Sequence, residues 1–307
     1  MNKLLITGSS GFIGRNLVKY FSKFPDWEVT TADLLKSGNP AYILDLSQRS
    51  NTDLLFKNEK PDFIIHAAGI TKAENAQDYF QANLIPVVNL LESAVKSGVF
   101  KTRILLISTS AVYGHFIGET VSENHLPAPI NSYGYSKLAM ETLASQFVQE
   151  NNMDIVIARP FNIIGEGQPE TFVVPSFIRK LIRIKNDKKL TEIKTGDLSG
   201  FRDFIDISDV VAAIKIIFEK GKSGEAYNIG SGRLIQISEV LKQVAAYLKL
   251  DSGLKIDEYK TEVEQIFSLK SNCAKLHKLG WKPGLEFEES LNKMIEFELK
   301  NFQSNPD

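Results

Sequence analysis

Short, unbroken apolar runs punctuate the first half of the chain, and they constrain its fold more than any other feature. Ile104-Leu105-Leu106-Ile107 offers no polar side to water, so a strand made of it must be covered on both faces. The same pattern predicts strands over Lys3 to Thr7, Trp27 to Ala32, Asp62 to His66, Arg103 to Ser108 and Asp154 to Ala158. Between them, helical spacing predicts helices over Phe12 to Phe24, Ala76 to Ser97 and Ser132 to Glu150. Ile13, Leu17, Val18 and Phe21 share one face of the first, and Leu138, Leu143 and Phe147 share one face of the third. Such alternation implies an α/β fold built on a doubly wound parallel sheet.

After about Gly165 the rhythm changes. Helices are expected over Val173 to Ile184, Ser208 to Phe218, Ile237 to Leu248 and Phe287 to Phe302, with strands near Ile193 and Tyr227. The expected division of the 307 residues is a first unit at 1–168, completed by about 201–229, and a smaller, interleaved lobe at 169–307. No linker rich in Gly, Pro or Ser separates them, and no internal repeat is present, so a cleft along their shared interface is a natural place for a ligand.

Charge and cysteine content narrow the partners. Thirty-six basic against 37 acidic side chains give a net charge of -1, which argues against nucleic acid or an anionic membrane surface as a partner. Cys273 is the one cysteine, and His66, His115, His125 and His277 show no metal-ligand spacing, so no metal is expected. Lys3 followed by Leu4-Leu5-Ile6 is too short for a signal-peptide core, and no apolar run reaches the length of a membrane span. A soluble, cytoplasmic protein is the expectation.

The first predicted strand runs into Thr7-Gly8-Ser9-Ser10-Gly11-Phe12-Ile13-Gly14 and then a helix. Glycines at 8, 11 and 14 permit a tight strand-to-helix turn and let a pyrophosphate approach backbone amides at the positive helix end. At the end of the first strand of an α/β pattern, this predicts dinucleotide binding in a Rossmann-type unit. Asp33, nineteen residues beyond Gly14, can accept hydrogen bonds from ribose hydroxyls and would repel a 2′-phosphate, which favours NAD(H) over NADP(H). The alternative is a solvated or helix-capping aspartate, the less favoured reading, and Lys36 could still meet a phosphate.

Tyr133-Gly134-Tyr135-Ser136-Lys137 contains Tyr-x-x-x-Lys at a helix start. Residues four apart share a helix face, so the ammonium of Lys137 is expected beside the phenol of Tyr133, lowering its pKa for proton transfer. Alone the pair says little, since nine tyrosines yield about one such match by accident. Its context is the strand ending Ile107-Ser108-Thr109-Ser110-Ala111-Val112-Tyr113-Gly114, which delivers hydroxyls to the sheet edge where ligands bind.

At this point the sequence resembles the extended short-chain dehydrogenase/reductase family, in its nucleotide-sugar-modifying branch. The resemblance spans nearly the whole chain: the glycine turn, His66-Ala67-Ala68-Gly69, Asn83, Ser108-Thr109 with Val112-Tyr113-Gly114, and the Tyr133 to Lys137 group. It continues through Arg159 to Gln168, Arg202-Asp203-Phe204-Ile205-Asp206, Tyr227 to Gly232 and Leu279 to Pro283. The resemblance implies that Tyr133 exchanges a proton with a sugar oxygen, that Thr109 polarises the carbonyl, and that Lys137 also holds the nicotinamide ribose. Implied coenzyme contacts are Gly8, Gly11, Phe12, Ile13, Gly14, Asp33, Asp45, Leu46, Ala67, Ala68, Gly69, Asn83, Ser108, Tyr133, Lys137 and Pro160. Implied contacts with the nucleotide-diphosphate sugar are Thr109, Tyr133, Asn162, Val174, Arg179 and Arg202.

Plain structural roles stay open for several of these residues. Thr109 and Ser108 could cap a turn, Arg202 could pair with Asp203 or Asp206, and Arg179 with Lys180 could form a solvated face. His115 and His125 lie on the segment that often borders the sugar. Where sugar 4,6-dehydratases of this branch carry Asp-Glu after the threonine, this chain has Ser110 and Ala111, which cannot do that acid-base work. No arginine follows Arg233, although many relatives use one on the diphosphate; Lys260 or Lys270 could substitute.

Three functions are compatible with these motifs: an NAD(P)H-dependent reductase of a 4-keto-6-deoxy sugar nucleotide, GDP- or dTDP-linked; a 4-epimerase that retains NAD; and a noncatalytic NAD(P)-binding sensor. Closer similarity to reductases of GDP-4-keto-6-deoxymannose over Ala158 to Val174 and Gly196 to Val210 favours the first, while the intact Thr109, Tyr133 and Lys137 disfavour the sensor. The resemblance also implies a homodimer through the helices at 76–97 and 132–150, with Pro86 bending the first or marking a late start.

Overall fold

A computed structural model describes residues 1–98, 101–115, 120–187, 191–250, 254–258 and 268–304. In chain order the first half contains β1 (Asn2–Thr7), α1 (Phe12–Phe21), β2 (Trp27–Asp33), β3 (Tyr42–Ile43), α2 (Arg49–Glu59) and β4 (Phe63–His66). Then come α3 (Ala76–Asn83), α4 (Ile85–Lys96), β5 (Arg103–Ile107), α5 (Ser132–Asn151) and β6 (Asp154–Pro160). The second half contains β7 (Asn162–Ile164), α6 (Val173–Asn186), β8 (Glu192–Thr195), β9 (Phe201–Asp206), α7 (Ile207–Lys220) and β10 (Ala226–Ile229). It ends with β11 (Leu234–Gln236), α8 (Ile237–Leu248), β12 (Lys255–Glu258), α9 (Ala274–His277) and α10 (Phe287–Ser304).

Seven parallel strands in the order β10-β6-β5-β4-β1-β2-β3 form the central sheet. Alternate side chains leave each strand on opposite faces, and both faces are buried. Leu4, Ile6, Ile65 and Leu105 face a core built with Leu17 and Phe21 of α1 and Val210, Ile214 and Phe218 of α7. Leu5, Ile64, Ile104 and Leu106 face the other way, against Leu55 and Phe56 of α2, Leu90 and Leu91 of α4 and Met140 of α5. The order reverses between β1 and β4, so a crevice opens beyond the carboxyl ends of these strands.

A separate core is made by α6, α8 and α10, with Phe177, Ile178, Leu181, Val240, Leu241, Leu291 and Ile295 packed under Phe204 and Ile235. It covers the three-stranded sheet β11-β9-β7, in which β7 leaves the main sheet directly after β6. A short parallel pair, β8 with β12, lies beside it. No helix among the described residues is long and apolar enough to cross a membrane.

Three differences from the sequence expectation have local causes. The helix expected over 76–97 is two helices, because Pro86 sits in the first turn of α4 and starts it afresh, where a missing N–H costs nothing. The first helix stops at Phe21, three residues early. Helices α2 and α9 and strands β3, β7, β9, β11 and β12 were not expected; α2 buries little beyond Thr52, Leu55 and Phe56, α9 is a single turn of four residues, and the strands are short or polar.

Phe218 closes an aromatic cluster with Phe63, Trp27 and Phe21 at ring-centroid distances of 5.2, 5.9 and 6.4 Å. Phe218→Ala is expected to cost about 3–5 kcal/mol of unfolding free energy, through lost transfer energy and the cavity left behind. Urea denaturation measures it, and a cost below about 1 kcal/mol would mean that the cluster collapses around the gap.

Candidate active site

The crevice is a cavity of about 780 Å³ between the carboxyl edge of the main sheet and the second lobe. Its floor is the turn into α1. Gly8 has φ +70°, and a Cβ there would lie 2.4 Å from the amide nitrogen of Ala68; a Cβ at Gly14 would lie 2.0 Å from the carbonyl oxygen of Gly8. Neither position can carry a side chain, so the backbones of β1, α1 and the segment after β4 touch directly. Gly11, Phe12 and Ile13 then face the cavity, and no side chain caps α1, which leaves its first amides for an anion.

Asp33 ends β2 and is 8% exposed. One carboxylate oxygen accepts the amide of Ser10 at 2.8 Å and the other that of Leu35 at 2.9 Å, so the group is fixed beside the turn with lone pairs remaining. A dinucleotide fits these features: an uncapped helix end for its pyrophosphate, a fixed carboxylate for a ribose, and an apolar wall of Ala67, Ala68, Ile107 and Pro160.

The proposed catalytic groups converge on one wall. Thr109 follows β5, Tyr133 lies in the first turn of α5, Lys137 lies one turn later, and all three line the cavity. The Asn131 side chain caps α5 through the amide of Gly134 at 2.8 Å, placing Tyr133 at the mouth of that helix. Thr109 accepts the Ala111 amide at 3.2 Å and hydrogen-bonds the phenol. Lys137 Nζ donates to the Ile107 carbonyl at 2.9 Å. Across the cavity stand Asn162, Val174 and Arg202. Among the described residues lining the cavity, the charged ones are Lys72, Lys137 and Arg202, all cations.

Residues 4–230 match the NAD dependent epimerase/dehydratase family. The chain is 31% identical over 301 residues to a GDP-6-deoxy-D-mannose reductase of Pseudomonas aeruginosa, covering 95% of this chain and 96% of that one. It belongs to this family. A GDP-6-deoxy-D-talose 4-dehydrogenase of Aggregatibacter actinomycetemcomitans is 32% identical over 250 residues, 80% of this chain and 81% of that one. The solved structure of RMD from Pseudomonas aeruginosa complexed with NADPH superposes with a TM-score of 0.87 at 31% identity, covering 98% of this chain and 100% of that one.

Not every residue singled out from the sequence reaches the cavity. Gly8 and Gly14 lie beneath it as spacers. Asn83 is buried, accepting the Ile70 amide at 2.8 Å and donating to the Ile70 carbonyl and to Ser136, so it ties the loop after β4 to α5. Asp45 accepts the Ser47 amide, and Leu46 is buried with its carbonyl bound by Asn89. Arg179 is drawn into ion pairs with Glu298 and Glu170, and Lys180 donates to the Lys194 carbonyl. His125 bonds Ser122, and His115 and Lys36 are exposed. Asp203 and Asp206 are engaged by Ser231, Ser271, Ser208 and Ser290, while Arg202 donates to the Phe201 carbonyl. The backbone carbonyl of Lys270 holds the Val121 amide, and Lys260 lies outside the described residues. Among the described residues no group of three or more His, Cys, Asp or Glu could hold a metal ion.

Lys72 is a lining residue that the sequence did not single out; its Nζ donates to the Thr171 carbonyl at 2.7 Å across the cavity. Nothing in its local pattern marks it, because Thr171 is 99 residues away.

Burial sets the charge states. It raises the pKa of Tyr133, against a lowering by the hydrogen bond to Thr109, so the phenol stays protonated. The expected lowering by Lys137 is not what dominates, since its ammonium is directed at Ile107. Burial also brings Lys137 down to about 8, with Glu141 opposing. His66 is 1% exposed and bonds Thr7 Oγ1 through Nδ1 at 2.8 Å, and burial brings its pKa down to about 3.

In the unfolded chain His66 takes up a proton below about 6.5, whereas in the fold it resists until about 3. Its contribution to stability is complete above pH 6.5 and is lost as pH falls from 6.5 toward 3. His66→Asn should reduce the slope of unfolding free energy against pH in that window by up to about 1.4 kcal/mol per pH unit. Denaturant midpoints at several pH values measure it, and equal slopes would refute the assignment.

Proposed function

We propose that the chain reduces the 4-keto group of a 4-keto-6-deoxy sugar carried on a nucleoside diphosphate, GDP or dTDP, using NAD(P)H. The observation that carries this reading is a half-buried, protonated Tyr133 beside Thr109 and Lys137 in a cavity whose charged lining, among the described residues, is cationic. Both relatives described above are named for GDP-linked 6-deoxyhexoses, one as a reductase. Residues 1–168, completed by about 201–229, are assigned to the coenzyme, and 169–307 to the nucleotide sugar.

The bound coenzyme supplies hydride to the C4 carbon. Tyr133 donates its proton to the C4 oxygen as negative charge develops there, and Thr109 donates a hydrogen bond to the same oxygen. Lys137 fixes the nicotinamide ribose, its ammonium held at the cavity wall by the Ile107 carbonyl. Arg202 offers a planar fork to the diphosphate, with Asn162 and Lys72 near it. Ser110 and Ala111 occupy the positions where a dehydratase needs carboxyl groups, which removes that chemistry.

Asp33 favours NADH, because a 2′-phosphate would meet its negative charge, although the solved relative is complexed with NADPH. We propose the cytoplasm, where coenzyme and nucleotide sugars are both available, and a homodimer through α3, α4 and α5 on family resemblance; light scattering tests the latter.

Tyr133→Phe should lower turnover of a GDP- or dTDP-linked 4-keto-6-deoxyhexose at least about a hundredfold with the fold intact, followed by loss of reduced-coenzyme absorbance. A variant keeping more than about a tenth of wild-type turnover would remove Tyr133 from the proton-donor role. Stoichiometric NAD surviving purification, with no net NADH consumption, would replace the reductase by an epimerase. For Asp33→Ser, the ratio of kcat/KM with NADPH to that with NADH should rise about tenfold or more, as one repulsion of order 1.4 kcal/mol is relieved; an unchanged ratio would place the preference elsewhere.

A further inference from the structure

A buried ion pair lies directly behind the catalytic wall. Glu141 is on α5, four residues after Lys137, and is 6% exposed; Arg159 of β6 is also 6% exposed. Arg159 Nε donates to Glu141 Oε1 at 3.0 Å and to Oε2 at 3.2 Å, and Nη2 also donates to Oε2. Ser108 Oγ donates to Oε1. On the far side Arg159 Nη1 donates to the Tyr113 hydroxyl at 2.8 Å, which donates to Asn228 Oδ1 at 2.7 Å. Arg159 thereby clamps the carboxylate from one side and is itself clamped from the other.

Such a pair is a poor device for stability alone, because desolvating two charges offsets most of their attraction and apolar side chains could fill the space as well. Its position suggests another use. Lys137 is 5% exposed and shares a helix face with Glu141. The groups acting on it are Glu141 from α5, His66 from β4, and the Ile107 carbonyl from β5, with Tyr133 one turn before it on α5. His66 is neutral at working pH, so Glu141 is the negative charge set against the lysine.

We propose that Glu141 is a positioning residue that acts through Lys137, its clamped carboxylate holding the buried lysine in the ammonium form in which it grips the coenzyme ribose. The burial of Lys137, which works against that form, is what makes a fixed counter-charge necessary. Arg159 keeps the carboxylate in place and draws off part of its field. The proposal rests on the reading above for the contact between Lys137 and the coenzyme.

The test is coenzyme affinity, measured with NADH by quenching of protein fluorescence from neutral to alkaline pH, with no sugar substrate present. Wild-type affinity should fall with a midpoint near the lysine's value of about 8. In Glu141→Gln the midpoint should move down by about one unit or more, and in Arg159→Met, which leaves the carboxylate unshared, it should move up. A merely structural role would weaken both variants at every pH without opposite displacements. Any other pairing of midpoints, or a wild-type profile with no alkaline fall, overturns the proposal. Should either variant fail to fold, Glu141→Gln/Arg159→Met removes both charges together; a midpoint below wild type supports the proposal and an unchanged one overturns it. A chain that binds NADH with these displacements but reduces no 4-keto sugar nucleotide would refute the reductase reading and leave this proposal standing.

Discussion

At the turn between β1 and α1, three stretches of backbone meet with no side chain between them. A Cβ at Gly14 would sit 2.0 Å from the Gly8 carbonyl, and one at Gly8 would sit 2.4 Å from the Ala68 amide nitrogen. That contact fixes where α1 begins and aims its uncapped amides into the crevice. It also joins β1 to the segment after β4 at the point where the strand order reverses, so α1 departs to one face of the sheet while α2, α4 and α5 cover the other. The cavity exists because consecutive elements part here. Thr109, Tyr133 and Lys137 can share a wall because β5 and α5 deliver them to the same edge.

Much of this was legible along the chain because it is encoded locally. The unbroken apolar runs at Leu4 to Ile6 and Ile104 to Ile107 mark strands buried on two faces, and the glycine spacing marks the close backbone approach. Tyr133 and Lys137 were visible as an i, i+4 pair. The break at Leu84 was half visible in Pro86. What lay hidden depends on partners far away in sequence: Lys72 bonds Thr171, Arg179 is taken up by Glu298, and Asn83 serves Ile70 and Ser136. Short strands such as β7 and β11 carry no periodic signal of their own and exist only because β9 lies between them.

The direction of the Tyr133 shift shows why spacing alone misleads about charge. An i, i+4 lysine suggests a phenol made more acidic, yet the same burial that brings the two together penalises every charged form. Tyr133 is therefore held protonated, which suits a proton donor to a developing alkoxide. For Lys137 the same penalty is adverse, since a neutral amine would neither grip a ribose as strongly nor balance an anionic ligand.

Both demands are reconciled on one helix. Tyr133, Lys137 and Glu141 recur every four residues and so form one stripe along α5, facing in turn the cavity, the Ile107 carbonyl and Arg159. Moving along the stripe, the environment changes from apolar wall to fixed carboxylate, and the favoured state changes from a neutral acid to a cation. A loop could carry the same three residues, but their spacing would fluctuate, and with it the field of Glu141 at Lys137. Held in a helix capped by Asn131 and tied to β6 through Arg159, the three charge states are set by geometry that the reaction itself does not have to rearrange.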